Sequence, residues 1–353
     1  MDLLVLNKEL DPIDVCDTYT SLVWSDRYYE YGDFEIYTIV STALLNILKE
    51  EFYIQRLDSD HAMIIENVQV SPDIEDGNKL IVTGRSLESI LARRIIWGRT
   101  SVKGNFQNGI KQLLDECIIS PNDPLRKIDN FIFEESTDPT ITELTIDAQY
   151  TGDNLYDVIS NACMERGIGF KVFINDYKQF VFRLYSGQDR SYEQFTNPYV
   201  VFSPNFENLM NSNYLSSKKD LKNNAFIAGE GEGTDRKTAY VTDGSGGLDR
   251  RELYVDARDI SSNIGDGVTL TDDEYTAKLQ TRGAAKLAEH TSVVSFEGQA
   301  ETNIMFKYGE DFFIGDIVQI ANEYGHEARA RILELITSED TGGITVYPTF
   351  KTL

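Results

Sequence analysis

Short runs in which apolar and polar residues alternate fill both ends of the chain, and runs with helical spacing fill its middle. Residues 3–6 are an apolar stretch followed by a turn at Asp11-Pro12, and residues 22–24 are a second one. Phe34, Ile36 and Val40 lie on one side of an extended run that begins after Gly32. Residues 53–57 and 62–70 read as further strands, because successive side chains of a strand point to opposite faces. Asp76-Gly77 separates residues 68–70 from 80–82. An Asp-Gly pair between extended runs predicts a hairpin, since both central residues of the favoured turn need positive φ. Many short strands joined by tight turns predict a small barrel or sandwich.

The pattern changes at Gly84. Ser86 is placed to cap a helix, with Glu88 in the first turn, where a carboxylate meets the positive end of the helix dipole. Leu87, Ile90, Leu91 and Ile95 follow at helical spacing. After Gly98 a second helix is predicted from about residue 106, with Ile110, Leu113, Leu114 and Cys117 on one face and Pro121 and Pro124 ending it. A third has Asp153 as its cap and Leu155, Val158, Ile159, Ala162 and Cys163 on one stripe. Gly167 stops it in a left-handed conformation. Two alternating strands follow, through Ile168, Phe170, Val172 and Ile174 and then Phe180, Phe182 and Leu184, with Asn175 and Asp176 at the turn. These elements predict a small α+β domain.

From about residue 186 the strand pattern returns, at residues 199–202 and 225–228. Residues 235–266 are rich in Gly, Asp and Ser and predict long exposed loops. Thr271 with Glu274 three residues on forms a capping box, and Tyr275, Leu279 and Leu287 share one face of the helix it starts. Strands resume at residues 293–296, 304–308, 317–320, 328–336 and 344–347, punctuated by Gly315-Asp316 and Gly342-Gly343. The fold class expected is mainly β with an α+β insertion. Two small β-barrel-like domains, residues 1–98 and 191–353, flank an α+β domain at 99–190, and the second carries long loops and one helix. A chain of 353 residues also exceeds what one core usually holds.

Composition sharpens this picture. Aromatics make up 11% of the chain, with 19 Tyr and 18 Phe, which suits pleated sheets and subunit contacts. Lys and Arg number 33 against 58 Asp and Glu, a formal net charge of -25. That field repels phosphates and argues against a nucleic-acid-binding role, although an acidic wall would let DNA pass without sticking. It also serves plain solubility. Cys16, Cys117 and Cys163 are odd in number and form no CxxC pair, so a reducing cytoplasm fits and no disulfide framework is expected. Cys117 and Cys163 fall on apolar helix faces, as small buried hydrophobes do. Asp2, Lys8, Glu9 and Asp11 interrupt any apolar start, so no signal peptide is expected. No apolar run approaches the ~20 residues that span a bilayer.

The candidate chemistry is thin. His61, His290 and His326 are far apart and match no zinc-peptidase spacing. His61 follows Asp58 and Asp60 and is expected in a solvated turn. Neither the acidic loop of Asp73, Glu75 and Asp76 nor the stretch 263–274 has EF-hand ligand spacing. Gly229, Gly231 and Gly233 alternate with Glu230 and Glu232, which would repel a phosphate. Gly244-Ser245-Gly246 lacks the strand and helix of a nucleophile elbow, and Gly84-Arg85-Ser86-Leu87 reads as structural. No catalytic, cofactor-binding or metal residue is assigned, and no enzymatic activity is expected.

The remaining informative stretches are Trp24-Ser25-Asp26-Arg27-Tyr28-Tyr29-Glu30-Tyr31-Gly32-Asp33-Phe34-Glu35, Asp58-Ser59-Asp60, Ile64-Ile65-Glu66 and the run from Glu75 to Glu88. Asp256-Ala257-Arg258-Asp259, Gly315-Asp316-Ile317-Val318 and Tyr347-Pro348-Thr349-Phe350 follow. In this order they resemble the siphovirus tail-hub family of phages and prophages of Gram-positive bacteria, over essentially the whole chain. The resemblance implies a homotrimeric hub whose two similar barrels per copy give pseudo-sixfold symmetry. It implies a tail-tube or distal-tail protein on one side, a tip or fibre protein on the other, and an open DNA channel between. Location is then the virion tail tip, after assembly in the host cytoplasm and without membrane anchoring. Many relatives carry a C-terminal peptidase or glycan hydrolase. Here the second barrel is expected to run almost to Leu353, which places lysin activity on another protein.

Trp24, Arg27, Tyr28, Tyr29, Tyr31 and Phe34 crowd aromatic surface beside Asp26, Glu30 and Asp33. Aromatic anchors with a polar rim are what a ring interface uses, and an ordinary core corner with solvated charges is the other reading. Gly32 and Gly84 are expected to meet backbone requirements at strand ends. Two other functions stay open. A tail-associated cell-wall hydrolase needs a carboxylate pair or a Cys/His site. A host-glycan-binding tail protein could stack sugars on exposed Tyr and Trp, though the sequence has no second aromatic cluster around Trp24 or Trp97.

Overall fold

A computed structural model describes residues 1–57, 59–72, 77–263, 269–300 and 305–353. Backbone packing divides it into two compact units, Met1–Asn213 with Phe296–Leu353, and Tyr214–Ser295.

In the larger unit one antiparallel sheet runs through Gly343–Thr352, Glu327–Asp340, Ser21–Arg27, Asp33–Ile39, Lys79–Ser86, Ala62–Ser71, Tyr53–Arg56, Leu3–Leu6 and Pro12–Cys16, each bonded to the next. Every second residue of Lys79–Ser86 is buried, the period a one-sided sheet requires. The inward side chains, among them Leu3, Trp24, Phe34, Ile54, Met63 and Val82, form one core, so the sheet curls around them. It does not close. Among the described residues Pro12–Cys16 has a strand partner on one side only, and four of its five residues are exposed. The expected fold class, mainly β with an α+β insertion, holds, but the sheets are not closed into barrels. The reason lies in Glu327–Asp340. This strand is 14 residues long, and it pairs with Gly343–Thr352 on one edge and Ser21–Arg27 on the other. Strands from both ends of the chain thus share one sheet. A further core of Val200, Phe202, Phe312, Ile320, Ile332 and Phe350 forms beside Ile317–Ala321.

Residues 100–185 supply the α+β part. Thr100–Asn105 pairs with Thr145–Tyr150, and Gly169–Ile174, Phe180–Tyr185 and Phe131–Glu134 form a three-stranded sheet. Helices Phe106–Leu114 and Leu155–Arg166 bury the stripes their spacing predicts. Gly167 ends the second at φ 69°. Its cap is Asn154 rather than Asp153, which accepts instead from the Thr151 amide at 2.9 Å. The helix expected after Ser86 is a 3-10 helix, Leu87–Arg93, and Ser86 does not cap it. Its first five residues are all buried, so tertiary packing rather than an amphipathic stripe holds it. Glu88 is buried in its first turn and also accepts from the Val172 amide at 2.7 Å.

The smaller unit is the strands Thr238–Thr242, Asn224–Ala228 and Glu252–Asp256, in that order, with helix Asp272–Ala288. Two of these strands fall where loops were expected. Their alternation of Tyr240 with Val241, and of Tyr254 with Val255, is hidden among Gly and Asp. Tyr275 and Leu279 pack on Ala225, Ile227 and Val255, with Leu287 partly buried beside them, and the Thr271–Glu274 capping box is present.

Some expectations fall elsewhere. Residues 305–308 form no strand beyond the single bridge of Tyr308 to Phe312. Asp58, Asp73, Glu75, Asp76 of the expected hairpin turn, Ile304, and part of the stretch 263–274 lie outside the described residues. Among the described residues no helix is long and apolar enough to cross a membrane.

Candidate functional site

Strand Ser21–Arg27 and the turn after it collect the side chains on which function was expected. Trp24 and Phe34 are buried core residues with ring centroids 6.2 Å apart. Gly32 and Gly84 permit the close approach of strands here. A Cβ on Gly32 would overlap the Ser25 carbonyl, and one on Gly84 the Ile64 carbonyl. Gly84 lies inside Lys79–Ser86, opposite a register shift at Ile65 and Asn67, rather than at a strand end.

Tyr28 is fully buried within this chain. Its ring lies against Gly169 and Gly315, where any Cβ would collide with it. Its hydroxyl donates to the Gly167 carbonyl at 3.1 Å and accepts from the Gly187 amide at 3.3 Å. Tyr185 meets it edge-on at 5.2 Å, and the Arg331 guanidinium lies 5.3 Å from its centroid. Burial pushes its hydroxyl pKa up to about 12. Tyr28 therefore ties the central sheet to the end of helix Leu155–Arg166 and to the loop at Gly315. That gives Gly315-Asp316 a structural role at the back of the Tyr28 ring. Asp316 is buried, with Arg190 at 2.7 Å and the Gln188 and Phe313 amides on its oxygens.

Arg27 works across strands. Its Nε donates to Glu334 at 2.7 Å and its Nη1 to Asp33 at 2.8 Å, and Glu334 also accepts from Thr349 at 3.1 Å. Four neighbouring strands are stitched in this way. Tyr31 is half-buried against Tyr156 at 4.8 Å, with Arg85 over its ring. The six residues of the expected interface differ in burial within the chain. Trp24, Tyr28 and Phe34 pack inside the chain, and Arg27, Tyr29 and Tyr31 remain partly accessible. Arg27, Tyr29 and Glu30 open onto a groove of ≈ 360 Å³ with Met164, Leu333 and Lys351.

His61, expected in a solvated turn, is instead the partner of Asp26. Its Nδ1 lies 2.7 Å from Asp26 Oδ1, which also accepts from Trp24 Nε1 at 3.2 Å. Burial opposes both charges, but each offsets the other. The net effect raises the His61 pKa and holds the Asp26 carboxyl below its usual range. Lys171 reaches Asp60 at 3.0 Å beside them. His61 and Lys171 border a cleft of ≈ 340 Å³ with Arg183, Tyr308 and Asp316. Asp26 and His61 are 35 residues apart, and no local spacing signals the pair.

Cys16, Cys117 and Cys163 are buried free thiols. Among the described residues no three His, Cys, Asp or Glu side chains group as metal ligands.

The sequence fits one family profile over residues 2–350, described as Siphovirus ReqiPepy6 Gp37-like protein. The chain belongs to that family. The fold of this Gp37-like protein is shared along its length with solved tail proteins. The 43 kDa tail protein of prophage MuSo2 from Shewanella oneidensis is 11% identical with a TM-score of 0.61, covering 100% of this chain and 98% of that one. Prophage tail protein gp18 from Listeria monocytogenes EGD-e is 11% identical with a TM-score of 0.57, covering 99% and 94%. A tail protein from Neisseria meningitidis MC58 is 12% identical with a TM-score of 0.57, covering 99% and 95%. No curated protein matches the sequence. Family and fold together support a structural protein of a phage tail.

Proposed function

We propose that this Gp37-like protein is the hub of a siphovirus tail tip. Three copies form a ring that joins the tail tube or distal-tail ring to the tip or fibre protein and surrounds the DNA channel. The observation that carries this reading is the fold shared with tail proteins from one end of the chain to the other. The groove beside Tyr29 is the proposed seam between copies. Tyr29, Met164 and Leu333 give it an apolar floor and Arg27, Glu30 and Lys351 a charged rim, as an interface core and rim require. The role is structural rather than enzymatic.

Light scattering behind a sizing column, on the protein alone and with its distal-tail and tip proteins, tests the hub. A trimer, or a monomer that joins a ring with its neighbours, supports it. A monomer that ignores both overturns it. Tyr29→Ala should weaken ring formation by roughly ten-fold or more, as loss of an interface anchor does, with the circular dichroism of the monomer unchanged. A suspension of purified cell walls should stay turbid with the protein. Clearing that one acidic substitution abolishes would establish a hydrolase instead.

A further inference from the structure

A further concave site lies in the α+β part, lined by other residues than the Tyr29 groove and the His61 cleft. It is a cleft of ≈ 790 Å³ between residues 97–101, helix Phe106–Leu114 with its π-helical continuation, and residues 122–126. Small-molecule sites span roughly 300–1,000 Å³, so there is room for more than one sugar-sized ring.

Trp97 stands at this cleft 58% exposed, whereas Trp24 is fully buried. An exposed indole normally folds down onto apolar surface. Here the Arg126 guanidinium packs over the ring, 4.2 Å from its centroid. Arg126 is itself fixed, since its Nη2 donates to the Ile95 carbonyl at 2.6 Å and its own carbonyl accepts from Arg94 Nε at 3.0 Å. Facing polar groups are fixed as well. Glu116 accepts from Thr100 Oγ1 at 2.6 Å on one oxygen and from Gln112 Nε2 at 2.9 Å on the other, which leaves acceptor capacity aimed in set directions. Arg99 and Asn122 line the cleft with no side-chain partner among the described residues.

The charges decide the ligand class. Arg99 and Arg126 balance Glu116 and Asp123, so the cleft is locally neutral on a chain of net charge -25. An anionic ligand would meet two carboxylates and a cation two guanidiniums. A peptide side chain would want an apolar pocket, and this lining is mainly polar. A pyranose fits all of it. Its C–H face stacks on an aromatic ring, and its ring hydroxyls each donate and accept, matching a fixed carboxylate beside amide and guanidinium donors.

We propose that this cleft binds a neutral, pyranose-containing glycan, with Trp97 as the stacking platform, Glu116 as hydroxyl acceptor, and Arg99 and Asn122 as donors. The site does not depend on the assembly reading, because a hub and a protein of any other tail role could both carry it.

The test uses the full chain and a panel of neutral oligosaccharides built on glucose, galactose, N-acetylglucosamine and rhamnose, with polygalacturonate as the charged comparison. Trp97 is the exposed one of two tryptophans, so fluorescence reports its environment directly. At least one neutral glycan should give a saturable blue shift and shield the indole from acrylamide. By calorimetry Trp97→Ala should weaken that glycan by roughly ten-fold, and Trp97→Phe should recover part of the loss. Circular dichroism of the variants guards against misfolding. No saturable response to the whole panel at millimolar concentrations overturns the proposal. So does binding that Trp97→Ala leaves unchanged, or tighter binding of polygalacturonate.

Discussion

Asp26 is 4% exposed and would be costly to bury alone, because a carboxylate taken out of water must find a partner. His61 supplies it at 2.7 Å. The folded-state pKa of His61 is raised, so its contribution to stability is full below its ordinary value, about 6.5, and is lost as pH climbs through the folded value. The Asp26 pKa is lowered, so its contribution is full above about 3.9 and is lost as pH falls through the folded value. The pair therefore helps most between those two limits. His61→Gln should lower stability to urea by roughly 1.5–3 kcal/mol near pH 5.5, the range for a hydrogen bond to a charged group. The deficit should shrink steadily toward pH 9. A deficit of constant size across that range would show that His61 acts by packing and not by charge. Nothing local in the sequence exposes this pair, since a histidine that follows two acidic residues reads as a solvated turn. The aromatic run at 24–34 was visible, but which of its rings face inward was set by Gly169 and Gly315, more than 130 and 280 residues away.

Helices with one apolar stripe and a stop signal were legible nearly residue by residue. Leu155–Arg166 buries the predicted stripe and ends at Gly167, and Asp272–Ala288 starts at the predicted capping box. The element after Ser86 was misread because its apolar residues are buried on every side, so their spacing does not distinguish a 3-10 from an α-helix. Strands Thr238–Thr242 and Glu252–Asp256 were missed because each is five residues long and flanked by turn-forming composition. In the smaller unit the core is correspondingly small, and one helix covers its sheet. That makes the cap matter. Thr271→Ala removes the hydroxyl that accepts from the Glu274 amide and should cost about 0.5–2 kcal/mol. Hydrogen exchange of the Ala225 and Ile227 amides should then speed up by roughly 2- to 30-fold if the helix and sheet open together. Unchanged rates would mean that the strands hold without the helix start.

On the scale of the whole molecule, the sheet that unites both ends of the chain was the least legible feature. Ser21–Arg27 pairs with residues 334–340, some 300 positions away, and the Arg27–Glu334 bond closes a separation of 307 residues. Alternation marks each strand but not its neighbour, so two compact barrels were expected where one open sheet exists. Charge acts on the same scale. With 58 acidic and 33 basic residues, every copy carries a formal -25, and the proposed ring of copies would bring like charges together. At low ionic strength that repulsion extends about 30 Å, and at physiological salt about 8 Å. If the seam is the apolar groove at Tyr29, Met164 and Leu333, salt removes repulsion without weakening the contact. The association constant measured by light scattering should then rise with added sodium chloride. If the seam were instead held by complementary pairs at Arg27, Glu30 and Lys351, the same salt would screen attraction and the rings would come apart. The sign of the salt dependence thus separates an apolar seam from an ionic one before any residue is changed.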